Sequence, residues 1–351
     1  MRARAKDDTV VDLDREGPSS PPGIGMPRRW LVLAGVLILA LFPLVLTAYA
    51  QVARVYRVGV LLHGGVYFQA LDGLRNGLRE LGLEEGKQVV FLVHDSKGDI
   101  KSVGPAAARF EGEKVDLIYA VASSVTLAAK RATKSVPIVF YAGTDPVSTG
   151  LVDSFRKPGG RFTGIHSQFT GLTGKRLELL NEMVPRLRRV LTVYSPDNPA
   201  AQQAMKLARE AAHRLKLELV ERPVASVEEL RAVLRALRPG EVDAYFYVSD
   251  AMVASQANLI IETAKVKKLP TMFNERTSVA NGALAAYGES YFRIGRLSAK
   301  YVQRVLLGAD PRDMPVEQTD KLDFVINRKT AKALGLTIPQ GLLSRADEVI
   351  E

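Results

Sequence analysis

The sequence predicts an α/β fold built as two similar halves, and three features carry that expectation. Short apolar runs rich in β-branched residues alternate with stretches of helical periodicity. The alternation occurs twice along the chain. A turn signal, Pro158-Gly159-Gly160, stands between the two rounds. Strands that follow one another through a helix pair in parallel, by right-handed crossovers.

In the first round the strand runs are Tyr56–Leu62, Val89–Val93, Val115–Tyr119 and Ile138–Tyr141. Between them, Phe68–Leu81 places Leu71, Leu74, Leu78 and Leu81 on one helical stripe, and Ser124–Thr133 reads as a further helix. In the second round the strands are Val190–Tyr194, Leu217–Val220, Ala244–Val248 and Thr271–Phe273. The helices are Leu172–Met183, Ala200–Leu215, Val227–Leu237 and Met252–Lys267. A third section follows: strand Gly282–Tyr287, amphipathic helix Tyr291–Leu307, strand Leu322–Asn327 and a short helix Arg328–Leu334. A tail returning after two α/β lobes implies that the chain crosses between them more than once. The expected first lobe is 54–164 plus 280–312, and the second 165–279 plus 313–351. Such a chain holds a cleft between the carboxyl ends of two sheets, where α/β ligands bind.

Composition excludes several function classes. Of 351 residues, 47% are hydrophobic and 25% charged, ordinary values for a globular chain with a full core. Cysteine is absent, which removes disulfides, thiolate metal sites, Cys nucleophiles and a Cys-linked lipid anchor. His63, His94, His166 and His213 lie far apart with no His-x-x-x-His pair, so no metal site is expected. No Gly-x-Ser-x-Gly elbow or phosphate-binding Gly-Lys-Ser/Thr motif occurs, so neither an enzyme nor a cofactor is expected. The net charge of +10 reads as a solvated basic surface, because no basic block is interleaved with aromatics. Nucleic acid is therefore not an expected partner.

The amino terminus carries an export layout. Residues 1–25 are polar and rich in Pro, Gly and Ser, and Met26 reads as the true start. Arg28 and Arg29 precede a 17-residue apolar stretch, Trp30–Leu46, and Ala48-Tyr49-Ala50 fits the small-x-small rule. The reading is a signal peptide cleaved after Ala50 and a periplasmic mature chain. A retained inner-membrane anchor is the alternative.

Val136–Ile165 (VPIVFYAGTDPVSTGLVDSFRKPGGRFTGI) and the tail from Gly282, ending INRKTAKALGLTIPQGLLSRADEVIE, resemble the TrpX-like substrate-binding proteins of ABC transporters. The start, YRVGVLL followed by ALDGLRNGLRELGLEEGK, fits as well, so the resemblance covers Arg54 to Glu351. It implies a type I periplasmic binding protein fold, two Rossmann-like lobes joined by three hinge strands. It also implies capture of a small polar or zwitterionic molecule for an importer, with aromatic amino acids as the associated ligands; the expected solute is an aromatic or branched amino acid, held in the cleft between the lobes. A monomer working with an ABC permease in the inner membrane is expected. A sensing ectodomain that signals to a membrane partner is the alternative.

Candidate binding residues are the polar groups at strand ends, and each has a plainer use. Ser123 and Ser124 open a helix, as ligand contacts or as caps. The resemblance makes this position a carboxylate site, commonly Gly-Thr, where this chain has Ala122-Ser123-Ser124. Asp145 follows a strand, either to hold a ligand ammonium or to make a turn before Pro146. Asn198, Asp250 and Asn274 are the matching positions of the second half, and all are good helix caps. The resemblance favours Asp250. Glu289 is a second acid for an ammonium or a first-turn acid of a helix. Gly64 and Gly65 allow close backbone approach, and Tyr67 offers a ring for stacking.

Overall fold

The computed structural model describes residues 54–319 and 321–351. The expected signal segment lies outside the described residues. The first half runs β1 (Tyr56–Leu62), α1 (Phe68–Glu80), β2 (Val89–Asp95), α2 (Val103–Gly112), β3 (Leu117–Val121), α3 (Ser123–Ala132), β4 (Ile138–Ala142) and β5 (Phe162–His166). The second runs α4 (Thr173–Met183), β6 (Arg189–Tyr194), α5 (Pro199–Leu215), β7 (Glu218–Pro223), α6 (Val227–Ala236), β8 (Ala244–Phe246), α7 (Ala251–Ser255), α8 (Ala257–Lys267), β9 (Thr271–Phe273), α9 (Arg276–Ala280) and β10 (Ala285–Gly288). The tail adds α10 (Tyr291–Leu306), β11 (Glu317–Gln318), β12 (Asp323–Asn327), α11 (Arg328–Ala333), α12 (Gln340–Leu343) and β13 (Glu348–Ile350).

These strands form a six-stranded sheet, β11-β5-β4-β3-β1-β2, and a seven-stranded sheet, β13-β12-β10-β9-β8-β6-β7. The β10–β12 pair is antiparallel, and the other pairs are parallel. This is the two-sheet α/β architecture that the sequence predicts. β3 (LIYAV) and β4 (IVFYA) are buried throughout, as unbroken apolar runs are when helices cover both faces of a parallel sheet. Edge strand β2 leaves Val90 and Val93 part-exposed.

Local chemistry sets the helix ends. Asn198 caps α5 by accepting from the Ala200 amide, and Pro199 begins the helix with φ already fixed. Lys216 ends it in the left-handed conformation, φ 57°. α1 buries Leu71, Leu74 and Leu78 at helical spacing. Its glycines let α10 touch it backbone to backbone. A Cβ on Gly73 would lie 1.9 Å from the Phe292 carbonyl oxygen, and one on Gly295 would lie 1.9 Å from that of Ala70.

Four expectations change. β10 pairs with β9 and β12, so residues 285–288 belong to the second sheet, although 280–312 was expected in the first lobe. β11 extends the first sheet beside β5, although 313–351 was expected in the second. The chain therefore passes between sheets after His166, after Gly288 and after Gln318. The stretch Met252–Lys267 is two helices broken at Gln256 rather than one. Finally, β3 runs two residues beyond its expected end, which brings Ala122 to the sheet's carboxyl edge.

Candidate functional site

The carboxyl ends of both sheets meet at one inner chamber. β3 and α3 bring Ala122, Ser123 and Ser124 to it, and β4 brings Tyr141 and Gly143. The second half brings Asn198, Ser249, Asp250 and Asn274. Register makes this alignment: Leu62 lies beside Asp95 and Val121 beside Tyr141, so the first-sheet strands stop together. An outer chamber of about 700 Å³ adjoins the inner one of about 40 Å³, and Ser124, Asn198 and Asp250 line both.

Aromatic side chains form most of the inner wall. Tyr67 and Tyr291 lie 5.0 Å apart between ring centroids, Phe169 and Tyr291 5.6 Å, and Tyr141 and Tyr291 5.9 Å. Tyr247 adds a face from the second half, stacked on Phe273 at 5.8 Å. Burial pushes the hydroxyls of Tyr67, Tyr141, Tyr247 and Tyr291 well above their ordinary range, so all stay protonated. They are therefore donors at the rims of a ring-lined slot. Asn274 Nδ2 donates to Tyr291 Oη at 3.2 Å, and Tyr247 Oη donates to the Asp250 carbonyl at 2.9 Å.

The polar side is set by α3 and its surroundings. No side chain caps α3, and Ser123 and Ser124 of its first turn, whose amides have no partner within the helix, line the chamber. That end of a helix attracts anions. Ala122, the residue before it, sits at φ 99°, ψ 148°, a conformation held almost only by glycine. Ser123 Oγ is 2.8 Å from Thr144 Oγ1. His63 is held between Ser96 Oγ at 2.9 Å and Ser124 Oγ at 3.3 Å. Burial lowers its pKa to about 4, so the ring is neutral at physiological pH. Asp250 is buried, and burial raises its carboxyl above the ordinary range. Its oxygens accept from the amides of Val253 and Ser195 and from Asn198 Nδ2. It thus caps α7 and holds the β6–α5 loop as well as lining both chambers.

The structure gathers Tyr67, Ser123, Ser124, Asn198, Asp250 and Asn274 around the inner chamber. The other expected site residues lie elsewhere. Asp145 is exposed, and its Oδ1 accepts from the amides of Val147 at 2.8 Å and Ser148 at 3.2 Å. The turn after β4 aims Thr144 inward and Asp145 outward. Glu289 is buried and does not line the chamber, although its charge reaches Tyr141, which does; it accepts from the Thr319 hydroxyl and joins two of the passages between sheets. Gly64 and Gly65 line a separate recess at the rim, and a Cβ on Gly65 would lie 2.3 Å from the Ser255 carbonyl oxygen of the opposite half.

Sequence reasoning missed Tyr141, Phe169, Tyr247 and Tyr291. The signal that finds them is an aromatic residue at or just past a strand's carboxyl end, at β4, β5, β8 and β10. Among the described residues no group of His, Cys, Asp and Glu is arranged to hold a metal, and no helix is long and apolar enough to cross a membrane.

Comparison with known proteins gives consistent matches. The family described as ABC transporter substrate binding protein matches residues 57–350. A tyrosine-binding protein of Clostridioides difficile (strain R20291) is 29% identical over 268 residues, 76% of this chain and 77% of that protein. An ABC domain from Streptococcus pneumonia solved in complex with L-Trp is 26% identical, covers 84% of this chain and 100% of its own, and has a TM-score of 0.74. A ligand-free, open substrate binding protein from Clostridium difficile, also 26% identical and covering 85% and 99%, has a TM-score of 0.55. At equal identity this chain is nearer in shape to the structure that holds its ligand.

Proposed function

This chain belongs to the ABC transporter substrate binding protein family, and on that premise we propose that it is an exported receptor for an aromatic amino acid. It takes up the solute in the periplasm between its two halves and presents it to an ABC permease. It captures the solute without transforming it. The observation that carries the reading is the aromatic wall of Tyr67, Tyr141, Phe169, Tyr247 and Tyr291 standing beside the uncapped start of α3.

The physical roles follow from that arrangement. An aromatic side chain of the ligand gains edge and face contacts among the rings, about 0.5–1.5 kcal/mol per pair beyond area burial. The ligand carboxylate lies against the first-turn amides of α3. The ammonium gains from tyrosine faces and from the Asp250 charge. Micromolar affinity requires about 8 kcal/mol, which these contacts supply after the cost of ordering. Contacts come from both halves, so the ligand binds the closed arrangement better than the open one, and that difference drives closure.

Isothermal titration calorimetry with single amino acids tests this. L-Tyrosine or L-tryptophan is expected to bind at micromolar Kd, with L-leucine and L-alanine at least tenfold weaker. An affinity ranking led by aliphatic or sugar ligands overturns the aromatic assignment. Loss of labelled amino-acid uptake in cells lacking the protein tests the import role.

A further inference from the structure

Arg176 stands in the first turn of α4 and is fully buried. Its Nη2 donates to the Phe169 carbonyl at 3.0 Å and to Thr173 Oγ1 at 3.3 Å. Its Nε and Nη1 have no hydrogen-bond partner among the described residues. No carboxylate pairs with it there either. Burial lowers its pKa only to about 10, so it remains a cation. A buried cation with no opposite charge is among the costliest arrangements a protein keeps, and a binding role is one reason to keep it.

Its surroundings point to the chamber. Phe169, whose carbonyl it holds, lines the inner chamber. So do Tyr247 and Tyr291, the two hydroxyls within electrostatic reach of its charge. Arg176 is not itself among the lining residues; these three neighbours of its guanidinium are, and so is the uncapped start of α3.

We propose that Arg176 is the counter-charge for the carboxylate of the bound solute, meeting it from the second half while the α3 amides meet it from the first. The proposal rests on the amino-acid reading given above. A guanidinium has five N–H donors; those on Nη2 are engaged, while the donors on Nε and Nη1, which lie on different edges, have no partner, so one of them is free to meet a carboxylate oxygen. One carboxylate then bonds to both halves, so it favours the closed arrangement directly.

The test is calorimetry and thermal melting of the wild type, Arg176→Met and Arg176→Lys, with L-tyrosine and with tyramine, which lacks the carboxylate. The wild type is expected to prefer L-tyrosine over tyramine by about 100-fold or more, the range for a buried charge pair broken on one side. Arg176→Met is expected to lose most of that preference, keeping only the share owed to the α3 amides, while its ligand-free form melts at or above the wild-type temperature. Arg176→Lys, the variant that decides the matter should the Met form not fold, is expected to keep a preference reduced about tenfold. Wild-type preference retained in either variant overturns the role of Arg176 and leaves the amino-acid reading standing. A wild type that binds neither L-tyrosine nor L-tryptophan overturns the reading and this proposal with it.

Discussion

Gly65 of the first half lies so close to Ser255 of the second that a Cβ on it would come within 2.3 Å of the Ser255 carbonyl oxygen. Gly98 repeats the arrangement against Val227, with a would-be contact of 2.8 Å, and the Gln69 amide bonds to the Thr277 hydroxyl across the same gap. At Gly65 the approach is to backbone, so that position tolerates no side chain. Gly65→Ala is therefore expected to hold the halves apart. Tyrosine affinity should fall tenfold or more, and scattering of the variant with saturating ligand should keep the radius of gyration of its ligand-free form. Wild-type affinity with normal compaction would show that this contact does not limit closure. Because Gly65 has φ 57°, an additional cost of about 1–2 kcal/mol to folding is expected and is read separately by denaturation.

Ala122 holds a glycine-type conformation at the mouth of α3. Ala122→Gly relieves that strain, worth about 1–3 kcal/mol, against about 0.4–1 kcal/mol of added unfolded-state entropy. A net gain of about 1 kcal/mol in urea denaturation is expected. A loss of similar size, the ordinary result of Ala→Gly, would show that the position is relaxed.

His63 is neutral in the fold, with its pKa lowered by burial from 6.5 to about 4. Its folded pKa is depressed, so the unfolded chain takes up a proton first. The stability it contributes is present above pH 6.5 and is lost as pH falls towards about 4, reaching about 3 kcal/mol at that end. Asp250 and Glu275 have raised folded pKa values and act in the opposite sense, favouring the fold in acid. The comparison is therefore between wild type and His63→Gln, each melted at pH 7 and pH 4.5. The variant is expected to lose markedly less stability on acidification. Equal losses would place the His63 titration elsewhere.

Two aspartates at strand ends separate by geometry. Asp145→Asn is expected to leave amino-acid affinity within about twofold, because its carboxylate serves its own turn. Asp250→Asn is expected to weaken binding tenfold or more and to lower stability by about 1–3 kcal/mol, because a buried acceptor of several N–H groups is altered. Calorimetry and denaturation of both variants check this, and a larger binding loss at Asp145 would reverse the assignment.

The strand-helix alternation and its repetition were legible because parallel sheets buried on both faces leave unbroken apolar runs such as β3 and β4. Ser123, Asn198, Asp250 and Asn274 were legible as polar residues at strand ends, where the fold turns them to the cleft. Tyr141, Tyr247 and Tyr291 were not, since a buried tyrosine reads the same in a sequence whether it fills a core or lines a chamber. Arg176 was hidden for a different reason. In KRLELL it reads as one more solvated cation beside Lys175, and only packing shows that it is enclosed. Asp145 and Thr144 show the limit at turns, where a shift of one residue exchanges inward for outward. Repeated crossing was expected, but which sheet β10 and β11 join was not legible, because strands of four and two residues are too short for periodicity to assign.

A crystal structure of the protein grown with L-tyrosine or L-tryptophan tests the central claim most directly. The expected result places the ligand ring among Tyr67, Tyr141, Phe169 and Tyr291, its carboxylate between the Ser123 and Ser124 amides and Arg176, and the two halves closed. A ligand lodged in the outer chamber with the aromatic slot unchanged, or halves standing open around it, would contradict the account.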